Sequence, residues 1–380
     1  MIILEKYISG RKEKDPTGYS YFMPSFINEQ WKWENQSINS LLEKAAIKLG
    51  ELNSYSKLVP NIDLFIQLHV TKEAVISSRI EGTKTQIEEA LMDESEVSPE
   101  GKNDWQEVNN YIKALNQAIL ELETLPISSR LIKKTHQILL DSVRGDHKQP
   151  GEFRRSQNWI GGNTLIDAVF IPPNQKNVEE LMADLEKFLH NDDIQVPALI
   201  KIGIAHYQFE TIHPFLDGNG RIGRLLIPLF LVEQKILNKP LLYLSAFFEK
   251  NKGLYYDNLT FVRTKNDMVQ WLKYFLIGVA ETAETATNTL SEIIELKAEL
   301  ETHIAKTFGK RSTKGSLVLQ FLFKKPVVHV NEVKEITKSS FKSANDLVSD
   351  LVNAGILKEM TGQNRNRIFV FDQYLKMFEK

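Results

Sequence analysis

Cysteine is missing from the 380 residues of this chain. Its absence excludes disulfide bonds, thiolate zinc sites, iron–sulfur clusters and a cysteine nucleophile. Long apolar runs are also missing: the longest, residues 225–232, has eight residues and contains Pro228, whereas a membrane-spanning helix needs about 20. The first residues lack the apolar segment of a signal peptide. We therefore expect a cytoplasmic protein without a membrane partner. The net charge of −2 argues against nucleic-acid binding along the whole chain.

Charged residues are unevenly distributed along the sequence. Residues 1–100 carry 11 Lys and Arg against 16 Asp and Glu, residues 101–310 carry 24 against 26, and residues 311–380 carry 12 against 7. The net charges of the three segments are therefore −5, −2 and +5. Because the chain is two to three times as long as a usual domain, we expect three parts. They are an N-terminal helical region (1–100), a central core (101–308) and a C-terminal domain (309–380).

Apolar residues recur at three- and four-residue spacing through most of the chain, which is typical of amphipathic helices. This period predicts a mainly α-helical fold. Helices are predicted over residues 38–52, 62–80, 86–92, 104–124, 128–143, 178–189, 197–210, 220–236 and 269–308. Residues 309–313, with the sequence GKRST, have the composition of a linker.

Residues 157–173 lack the helical period and contain two β-like stretches, residues 157–164 and 168–173. The pattern predicts a β-hairpin inserted between helices. The free edge of such a hairpin can pair with an extended peptide by adding a strand. The alternative is a surface hairpin that only covers the core, and the sequence leaves both interpretations open.

A glycine-containing loop, residues 213–224, joins two predicted helices. Gly218 and Gly220 allow main-chain N–H groups to approach a ligand without interference from a side chain, and at a helix N-terminus such groups bind anions. Arg221 and Arg224 follow on one helical face. Positive charges at a helix N-terminus oppose the helix dipole. Two arginines at this position therefore indicate that an anion binds among them. A polyphosphate is the natural candidate for that anion.

Two further residues of the loop suit phosphate chemistry. Asp217 offers an oxygen ligand to Mg²⁺, which commonly bridges a carboxylate and phosphate groups. His213 is the nearby side chain that can act as a base at neutral pH. Residues 218–223 also match the dinucleotide pattern G-x-G-x-x-G, but that motif must follow a strand and here a helix precedes it. Glu210-x-x-His213 resembles half of a di-iron site, which needs a second such pair that the sequence lacks.

Eight positions of this loop, in the order His-x-Phe-x-Asp-Gly-Asn-Gly-Arg-x-x-Arg, resemble the signature of the Fic family of AMP-transferases. They are His213, Phe215, Asp217, Gly218, Asn219, Gly220, Arg221 and Arg224. The predicted hairpin, with the residues from Gly151 onward, resembles the flap of that family, which holds the target segment. The resemblance covers roughly residues 100–300. It implies a Fic-type helical bundle with a β-hairpin flap.

The resemblance implies a role for each residue of the loop. His213 would be the general base that takes a proton from a Tyr, Thr or Ser hydroxyl, whose oxygen attacks the α-phosphorus of ATP. Asp217 would hold Mg²⁺ on the α- and β-phosphates. Asn219 and the main chain from Gly218 to Arg221 would bind phosphate oxygens.

The remaining implied roles concern the β- and γ-phosphates, the anchor of the loop and the adenine ring. Arg221 would stabilise the β-phosphate and Arg224 the γ-phosphate, while Phe215 would be an apolar anchor for the loop. Tyr256, shortly after a predicted helix start at Gly253, is a candidate adenine contact. The alternative for Tyr256 is an ordinary core or surface tyrosine.

A second pattern, Ser77-x-x-x-Glu81-Gly82, lies at the end of the helix predicted over residues 62–80. Ser77 and Glu81 share one helical stripe, Gly82 suits a helix end, and the helix dipole disfavours a carboxylate in the last turn. The pattern resembles the inhibitory motif N-terminal to the core of many Fic proteins. It implies that Glu81 pairs with Arg224 at the γ-phosphate position, with support from Ser77. An ordinary solvated glutamate at a helix end is the alternative.

Residues 314–380 have the layout of a winged helix. Helices are predicted over residues 316–323, 330–337 and 339–353, and strands over 356–359 and 367–371 around a turn at 361–364. A helix-turn-helix with a wing suggests DNA binding.

The charges of this C-terminal segment point in two directions. Cations near the start of the third helix and in the wing suit phosphate contact; they are Lys338, Lys342, Arg365 and Arg367. Asp346 and Asp350 on the polar face of the third helix would repel a phosphate backbone. DNA and a protein partner, or dimerisation, therefore both remain open.

The sequence as a whole predicts Mg²⁺- and ATP-dependent AMP transfer to a protein hydroxyl, autoinhibited by Glu81. The target would dock along residues 157–173, and the chain itself is a second potential target. A homodimer is a potential assembly. Removal of AMP, or transfer of another phosphate-linked group, is an alternative on the same scaffold, although the Arg221–Arg224 pair favours a nucleoside triphosphate. A nucleotide-sensing DNA-binding regulator is an alternative of a different class.

Overall fold

The computed structural model describes residues 1–58, 62–141, 146–360 and 367–378. The prediction of a mainly α-helical fold is confirmed. The helices are α1 (Gln36–Leu58), α2 (Ile62–Ile80), α3 (Ile87–Ala90), α4 (Lys102–Glu121), α5 (Ser129–Leu139), α6 (Val178–His190), α7 (Ala198–Ile212), α8 (Asn219–Glu233), α9 (Ser245–Lys250), α10 (Lys252–Lys265), α11 (Met268–Thr307), α12 (Ser312–Lys324), α13 (Val330–Thr337), α14 (Phe341–Asn353) and α15 (Asp372–Lys376). None of the helices in these ranges combines the length and the apolar character needed to cross a bilayer.

The strands are short. They are β1 (Ile2–Ile3), β2 (Gly10–Lys14), β3 (Ser20–Pro24), β4 (Trp31–Lys32), β5 (Val327–His329), β6 (Lys358–Glu359) and β7 (Ile368–Val370). β1 pairs with β4 in parallel, β2 pairs with β3 as an antiparallel hairpin, and the C-terminal sheet has the antiparallel order β5-β7-β6.

The centre of the molecule is formed by α7 and α8, the two helices that flank the glycine-containing loop. Every residue of α7 from Leu199 to Ile212 is buried, as are most residues of α8. A helix that is buried on all sides needs no polar face, which explains why the apolar period is weak in these two segments. The loop between them therefore starts and ends on rigid elements.

The first 35 residues differ from the prediction of a helical N-terminal region, since apart from a 3₁₀ turn at Leu4–Lys6 they form strands and connecting loops. In β3, Phe22 and Pro24 point inward and are buried while Ser20 is exposed. Gly10 of β2 lies so close to β3 that a Cβ there would come within 2.3 Å of the Met23 carbonyl oxygen. The alternation of exposed and buried residues in β3 covers only five residues, which is too short a pattern to be recognised in the sequence.

The hairpin predicted over residues 157–173 is reduced to one antiparallel bridge between Ile160 and Phe170. Gly161 and Gly162 have φ values of 68° and 74°, so the chain leaves the extended conformation directly after the bridge. Asp167 then holds the tip, because its carboxylate accepts hydrogen bonds from the main-chain N–H groups of residues 163 and 164. The flap segment, residues 157–173, is therefore mostly an ordered loop.

Two predicted boundaries also change. The helix predicted over residues 128–143 ends at Leu139, and residues 142–145 lie outside the described ranges. The predicted linker at 309–313 is a 3₁₀ turn, Gly309–Arg311, that leads straight into α12. Gly315 of α12 packs so closely on α11 that a Cβ there would lie 3.0 Å from Ile304. The segment therefore continues the packed structure and does not act as a flexible spacer.

The C-terminal unit, residues 312–378, contains the three predicted helices and the two predicted strands, together with the unpredicted strand β5. The predicted turn at 361–364 and the cation Arg365 lie outside the described residues. The unit packs against α2: the rings of Phe323 and Phe65 are 6.0 Å apart, and those of Phe378 and His69 are 5.0 Å apart. The C-terminal unit and the helix with the predicted inhibitory motif thus share a core.

Candidate active site

His213 lies at the C-terminal end of α7 in the left-handed backbone conformation, with φ 51° and ψ 60°. Its N–H donates to the Phe209 carbonyl at 2.9 Å and so closes the helix. A non-glycine residue in this region is uncommon, and such residues are often found at functional sites. Gly218, with φ 75°, then turns the chain into α8. The catalytic loop, residues 213–218, is thus bounded by two left-handed residues.

Phe215 anchors this loop, as the resemblance implied. Its ring is fully buried, stacks on the His136 imidazole with ring centres 3.7 Å apart, and lies 5.3 Å from the ring of Phe153. The carboxamide of Asn219 binds both main-chain groups of Phe215, each at 2.8 Å. The Asn219 side chain therefore fixes the loop, and the phosphate contact implied for it stays a prediction.

His136 is a positioning residue that the sequence analysis missed. Its Nδ1 accepts a hydrogen bond from the Gly151 N–H at 2.9 Å, so the proton lies on Nε2, which donates to the Asp217 carbonyl at 3.0 Å. Burial lowers the pKa of His136 to about 4, so the ring stays neutral at physiological pH. No local sequence pattern marks this histidine, because its partners lie on distant segments.

Arg154 and Asn158 tie the flap segment to the catalytic loop, and sequence reasoning did not find these contacts. The buried Arg154 guanidinium donates from Nε to the His213 carbonyl at 2.9 Å and from Nη2 to the Pro173 carbonyl at 2.5 Å. The Asn158 amide donates to the carbonyls of His213 and Phe215 at 3.2 and 2.8 Å. A shift of the flap base would therefore move the main chain of His213.

The His213 imidazole is neutral at physiological pH. Burial lowers its pKa to about 3, with smaller contributions from the positive charges of Arg154 and Arg263. Its Nδ1 is buried and has no hydrogen-bond partner among the described residues. Since the residue as a whole is partly exposed, Nε2 is the ring nitrogen that reaches the open side of the site. A neutral, accessible nitrogen can accept a proton.

Arg221 is buried between two carboxylates. Its Nη1 lies 3.2 Å from Glu107 Oε2 of α4, and its Nη2 lies 3.5 Å from Asp217 Oδ1. Glu107 was not among the predicted site residues, since nothing near it in sequence resembles the loop. The Glu107 carboxylate balances part of the positive charge of Arg221, whereas the sequence alone had indicated only a bound anion as the partner of that charge.

Asp217 is the residue that suits a magnesium ion. Its side chain is 45% exposed, and one carboxylate oxygen accepts the Gly218 N–H at 2.5 Å. The described residues hold no group of three or more metal-binding side chains. A single accessible carboxylate fits Mg²⁺, which takes most of its other ligands from water and substrate phosphates.

Arg224, Ser77 and Glu81 form the buried contact that the resemblance implied. Arg224 Nε donates to Ser77 Oγ at 2.8 Å, and Nη2 donates to the Ser77 carbonyl at 2.9 Å and to Glu81 Oε1 at 2.7 Å. Burial by itself would raise the pKa of Glu81, but Arg224 outweighs it and holds that pKa below its usual value. Burial would likewise lower the pKa of Arg224, and Glu81 raises it.

Gly220 shows where the Glu81 carboxylate lies. A Cβ on Gly220 would meet Glu81 Oε1 at 2.4 Å and Arg224 Nη1 at 2.9 Å. The carboxylate therefore lies directly on the first turn of α8, in the position where a helix N-terminus favours a negative charge. In this structure a protein carboxylate occupies the anion site that the sequence predicted there.

The end of α2 is shaped to present Glu81. Gly82 has a φ of 109°, which a side chain would disfavour, and its N–H donates to the Arg79 carbonyl at 3.0 Å. Lys252 of α10 donates from Nζ to the Ile80 carbonyl at 2.8 Å, a favourable place for a cation at a helix C-terminus. These contacts hold the last turn that carries Glu81.

Tyr256 lies on α10 with 42% of its surface exposed. Burial raises its pKa to about 12, and the negative charge of Glu81 contributes to the rise. The phenol is thus close enough to Glu81 to respond to its charge. Its proposed contact with adenine stays a prediction.

Comparison with known proteins gives matches to two family models. The model described as Fic/DOC family N-terminal matches residues 39–120, and the Fic/DOC family model matches residues 126–231. The Protein adenylyltransferase Fic of Drosophila erecta is 24% identical over 218 residues, covering 55% of this chain and 40% of that protein. The protein of the same name in Aedes aegypti is 28% identical over 187 residues, 46% of this chain and 34% of that protein. The chain thus spans about two fifths or less of the length of these relatives.

Solved structures share the fold. A Fic family protein from Desulfovibrio desulfuricans superposes with a TM-score of 0.57 at 19% identity, covering 90% of this chain and 98% of that one. A Fic domain containing signaling protein from Bacteroides thetaiotaomicron superposes with a TM-score of 0.53 at 18% identity, covering 68% of this chain and 97% of that one. At such identities the likeness concerns the fold alone. Together with the family models and the eight-position loop, it establishes that this chain belongs to the Fic family.

Proposed function

We propose that this chain transfers AMP from ATP to a Tyr, Thr or Ser hydroxyl of a protein, and that Glu81 restrains the reaction. One observation carries the proposal: neutral His213 and the start of α8 flank the same loop, and the anion position on α8 is held by the Glu81–Arg224 pair. The names of the matched relatives, Protein adenylyltransferase Fic, support the same reaction class.

The reaction follows from the placement of these groups. The hydroxyl oxygen of the target attacks the α-phosphorus of ATP, and His213 Nε2 accepts the hydroxyl proton. The bond from the α-phosphorus to the oxygen that bridges to the β-phosphate breaks, and pyrophosphate leaves. Such a transfer depends mainly on positioning and on stabilisation of charge.

The cationic groups divide the phosphates between them. Arg221 stabilises the β-phosphate and the charge that builds up on the leaving pyrophosphate, while the main-chain N–H groups at the start of α8 bind phosphate oxygens. Arg224 takes the γ-phosphate. Asp217 would hold Mg²⁺, which when bound neutralises phosphate charge. The Asn219 side chain fixes the loop through Phe215 and is proposed to bind phosphate oxygens together with the main-chain N–H groups of α8.

Autoinhibition arises because two anions compete for one guanidinium. Glu81 Oε1 already accepts a hydrogen bond from Arg224 at 2.7 Å. A γ-phosphate would need the same donor and the space above Gly220 that Glu81 fills. ATP can then bind with its γ-phosphate displaced, which misaligns the α-phosphorus relative to His213. Withdrawal of Glu81 restores the alignment.

The target segment is proposed to dock along one edge of the flap segment. The main-chain N–H and carbonyl groups of Trp159 and Gly161 have no hydrogen-bond partner within the described ranges, so that edge can accept an added strand. The opposite edge is occupied, since the Ile171 carbonyl accepts the Phe22 N–H at 2.9 Å. This difference favours strand addition over a hairpin that only covers the core.

We propose that the C-terminal unit is a winged helix with a protein partner rather than DNA. Arg367, one of the cations expected to contact phosphate, donates to Asn345 Oδ1 at 2.8 Å and lies 3.5 Å from Glu359. Its charge is therefore partly neutralised within the unit. A filter-binding assay with a salt titration tests this: retention of duplex DNA with a steep salt dependence would contradict it.

The central test is labelling by ATP that carries the label on its α-phosphate. Glu81→Gly removes the competing carboxylate, so we expect labelling of the chain or of host proteins to rise at least about tenfold, which corresponds to about 1.4 kcal/mol of barrier. Adding His213→Ala to that variant should return labelling to background. Glu100→Gly, which changes an exposed glutamate outside the site, is the matched control and should leave labelling unchanged.

Two results would contradict the proposal. Equal labelling of the parent chain and the Glu81→Gly variant would remove the inhibitory role of Glu81. Persistent labelling after the loss of His213 would remove its role as the base.

A further inference from the structure

The N-terminal hairpin β2–β3 lies against the flap segment. The Phe22 N–H of β3 donates to the Ile171 carbonyl at 2.9 Å, and the rings of Phe22 and Phe170 are 5.9 Å apart. Phe22 is buried although its neighbours in β3 are at least partly exposed. The contact therefore combines a main-chain hydrogen bond with packing of an aromatic pair.

The register of the hairpin makes this bond an extension of a sheet. Phe22 stands opposite Lys12 of β2, and its N–H points away from β2 to the Ile171 carbonyl. The flap continues from there, because Phe170 exchanges main-chain hydrogen bonds with Ile160 at 2.8 and 3.1 Å. The order across this interrupted sheet is β2, β3, the segment at 170–171, and then Ile160.

Side chains of residues 15 and 19, in the turn between β2 and β3, also contact the flap region. The Tyr19 hydroxyl donates to Gln157 Oε1 at 3.2 Å, and Gln157 Nε2 donates to the Pro172 carbonyl at 3.0 Å. Asn174, just after the flap segment, donates to Asp15 Oδ2 at 2.8 Å. The hairpin thus holds the first residue of the flap segment and the residue that directly follows its end.

The hairpin is itself fixed to the catalytic core. The N–H and hydroxyl of Ser9 both donate to Asn266 Oδ1 at 2.9 Å, and the Gln208 amide of α7 donates to the Ser25 carbonyl at 3.0 Å. From the same side, Arg263 of α10 lies over the ring of Phe170 at 4.0 Å. The hairpin therefore connects the flap with α7, the helix that ends in His213.

We propose that the hairpin Gly10–Pro24 positions the target segment by holding the open edge at Trp159–Gly161 in place relative to His213. The proposal rests on the proposed AMP transfer. With one internal bridge, the flap has too little pairing of its own to stay ordered, since isolated two-stranded hairpins are marginally stable. The target would form the next strand of a sheet whose far side is β2–β3.

The experiment uses the full chain with Glu81→Gly as the parent and adds Phe22→Ala. Tyr21→Ala is the matched control: Tyr21 is the adjacent aromatic residue of β3, its side chain points to the opposite face, and its hydroxyl bonds Glu13. Three quantities are measured: the hydrogen exchange of main-chain amides in residues 157–173, the labelling of proteins in a host extract by α-labelled ATP, and the affinity of each variant for ATP.

We expect Phe22→Ala to speed amide exchange at Ile160 and Phe170 and to reduce labelling of extract proteins at least about tenfold, because small displacements of reacting groups are costly. ATP affinity, measured by titration calorimetry, should stay the same, which separates positioning from nucleotide binding. Phe22→Leu should restore most of the labelling. Tyr19→Phe removes the hydroxyl that bonds Gln157 and also interacts with Asp15 and Asn174, and it should act in the same direction with a smaller effect.

Unchanged amide exchange in the flap would overturn the proposal, as would a loss of labelling that is matched by Tyr21→Ala or by weaker ATP binding. A parent variant that labels nothing would instead contradict the proposed function. In that case the exchange data still decide whether the hairpin holds the flap.

Discussion

His213 combines a strained backbone with a pKa far below that of a free histidine. Its left-handed conformation places the ring at the mouth of the loop, and burial together with Arg154 and Arg263 lowers its pKa to about 3. An imidazole that is neutral before the reaction can take up a proton without first losing one. Glu81 acts in the opposite sense and raises this pKa, so removing Glu81 keeps the base neutral.

We expect the ring resonances of His213 in an NMR titration to stay constant between pH 8 and pH 5, whereas an unperturbed histidine titrates near pH 6.5. The sign for stability follows from the lowered folded-state pKa. Between about pH 6.5 and pH 3 only the unfolded chain binds this proton. As the pH is lowered through this range, the free energy of unfolding therefore decreases by up to about 1.4 kcal/mol per pH unit. A midpoint above pH 6 for His213 would contradict a neutral base.

The residues that sequence analysis identified belong to compact local patterns. His213, Arg224, Ser77 and Glu81 were found because spacing along one helix or one loop marks them. Glu107 and His136 were missed, since each contributes one side chain from a separate segment and carries no local signature. Arg154 belongs to the segment that resembles the flap, but its contact with the His213 carbonyl was not predicted. Their roles follow only from three-dimensional contacts, as does the turn of the Asn219 carboxamide toward Phe215.

At the scale of elements, α2 presents one stripe to α8 and another to the C-terminal unit. Ser77 and Glu81 contact Arg224, while Phe65 and His69 pack against rings of the C-terminal unit. The stripe toward α8 is polar within a buried environment, so each of its hydrogen bonds matters for stability.

Neighbouring serines of α2 allow this to be measured without an activity assay. Ser77 and Ser78 are both fully buried, but only Ser77 Oγ accepts a hydrogen bond from Arg224, and Ser78 Oγ has no partner among the described residues. We expect Ser77→Ala to lower the free energy of unfolding by about 1–3 kcal/mol in a denaturant titration. Ser78→Ala should change it little. Equal effects of the two substitutions would show that the contact with Arg224 contributes nothing.

The helices were predictable because a period of 3.6 residues repeats over many turns, and α13 has the predicted bounds. Short strands gave too few alternations to be recognised, which explains why β2, β3 and β5 were missed. The predicted flap hairpin fails after one bridge because Gly161 and Gly162 take left-handed conformations. The chain compensates by supplying β3 from a distant part of the sequence.

For the whole molecule, the division of charge into −5, −2 and +5 does not correspond to three separate bodies. The C-terminal unit packs on α2 and α11, and apolar residues from every part of the described chain join one core. The N-terminal hairpin supports the flap, and α2 supplies the carboxylate that occupies the anion position. The parts that flank the catalytic loop therefore act on it through direct contacts.

The most direct test of the account compares two positions of the label in ATP. The Glu81→Gly chain is incubated with Mg²⁺ and with ATP labelled on either the α- or the γ-phosphate, and label retained on denatured protein is counted. The account predicts retention of the α-label only, and its loss when His213→Ala is added. Retention of the γ-label, or no α-label above the level of the double variant, would contradict AMP transfer at this site.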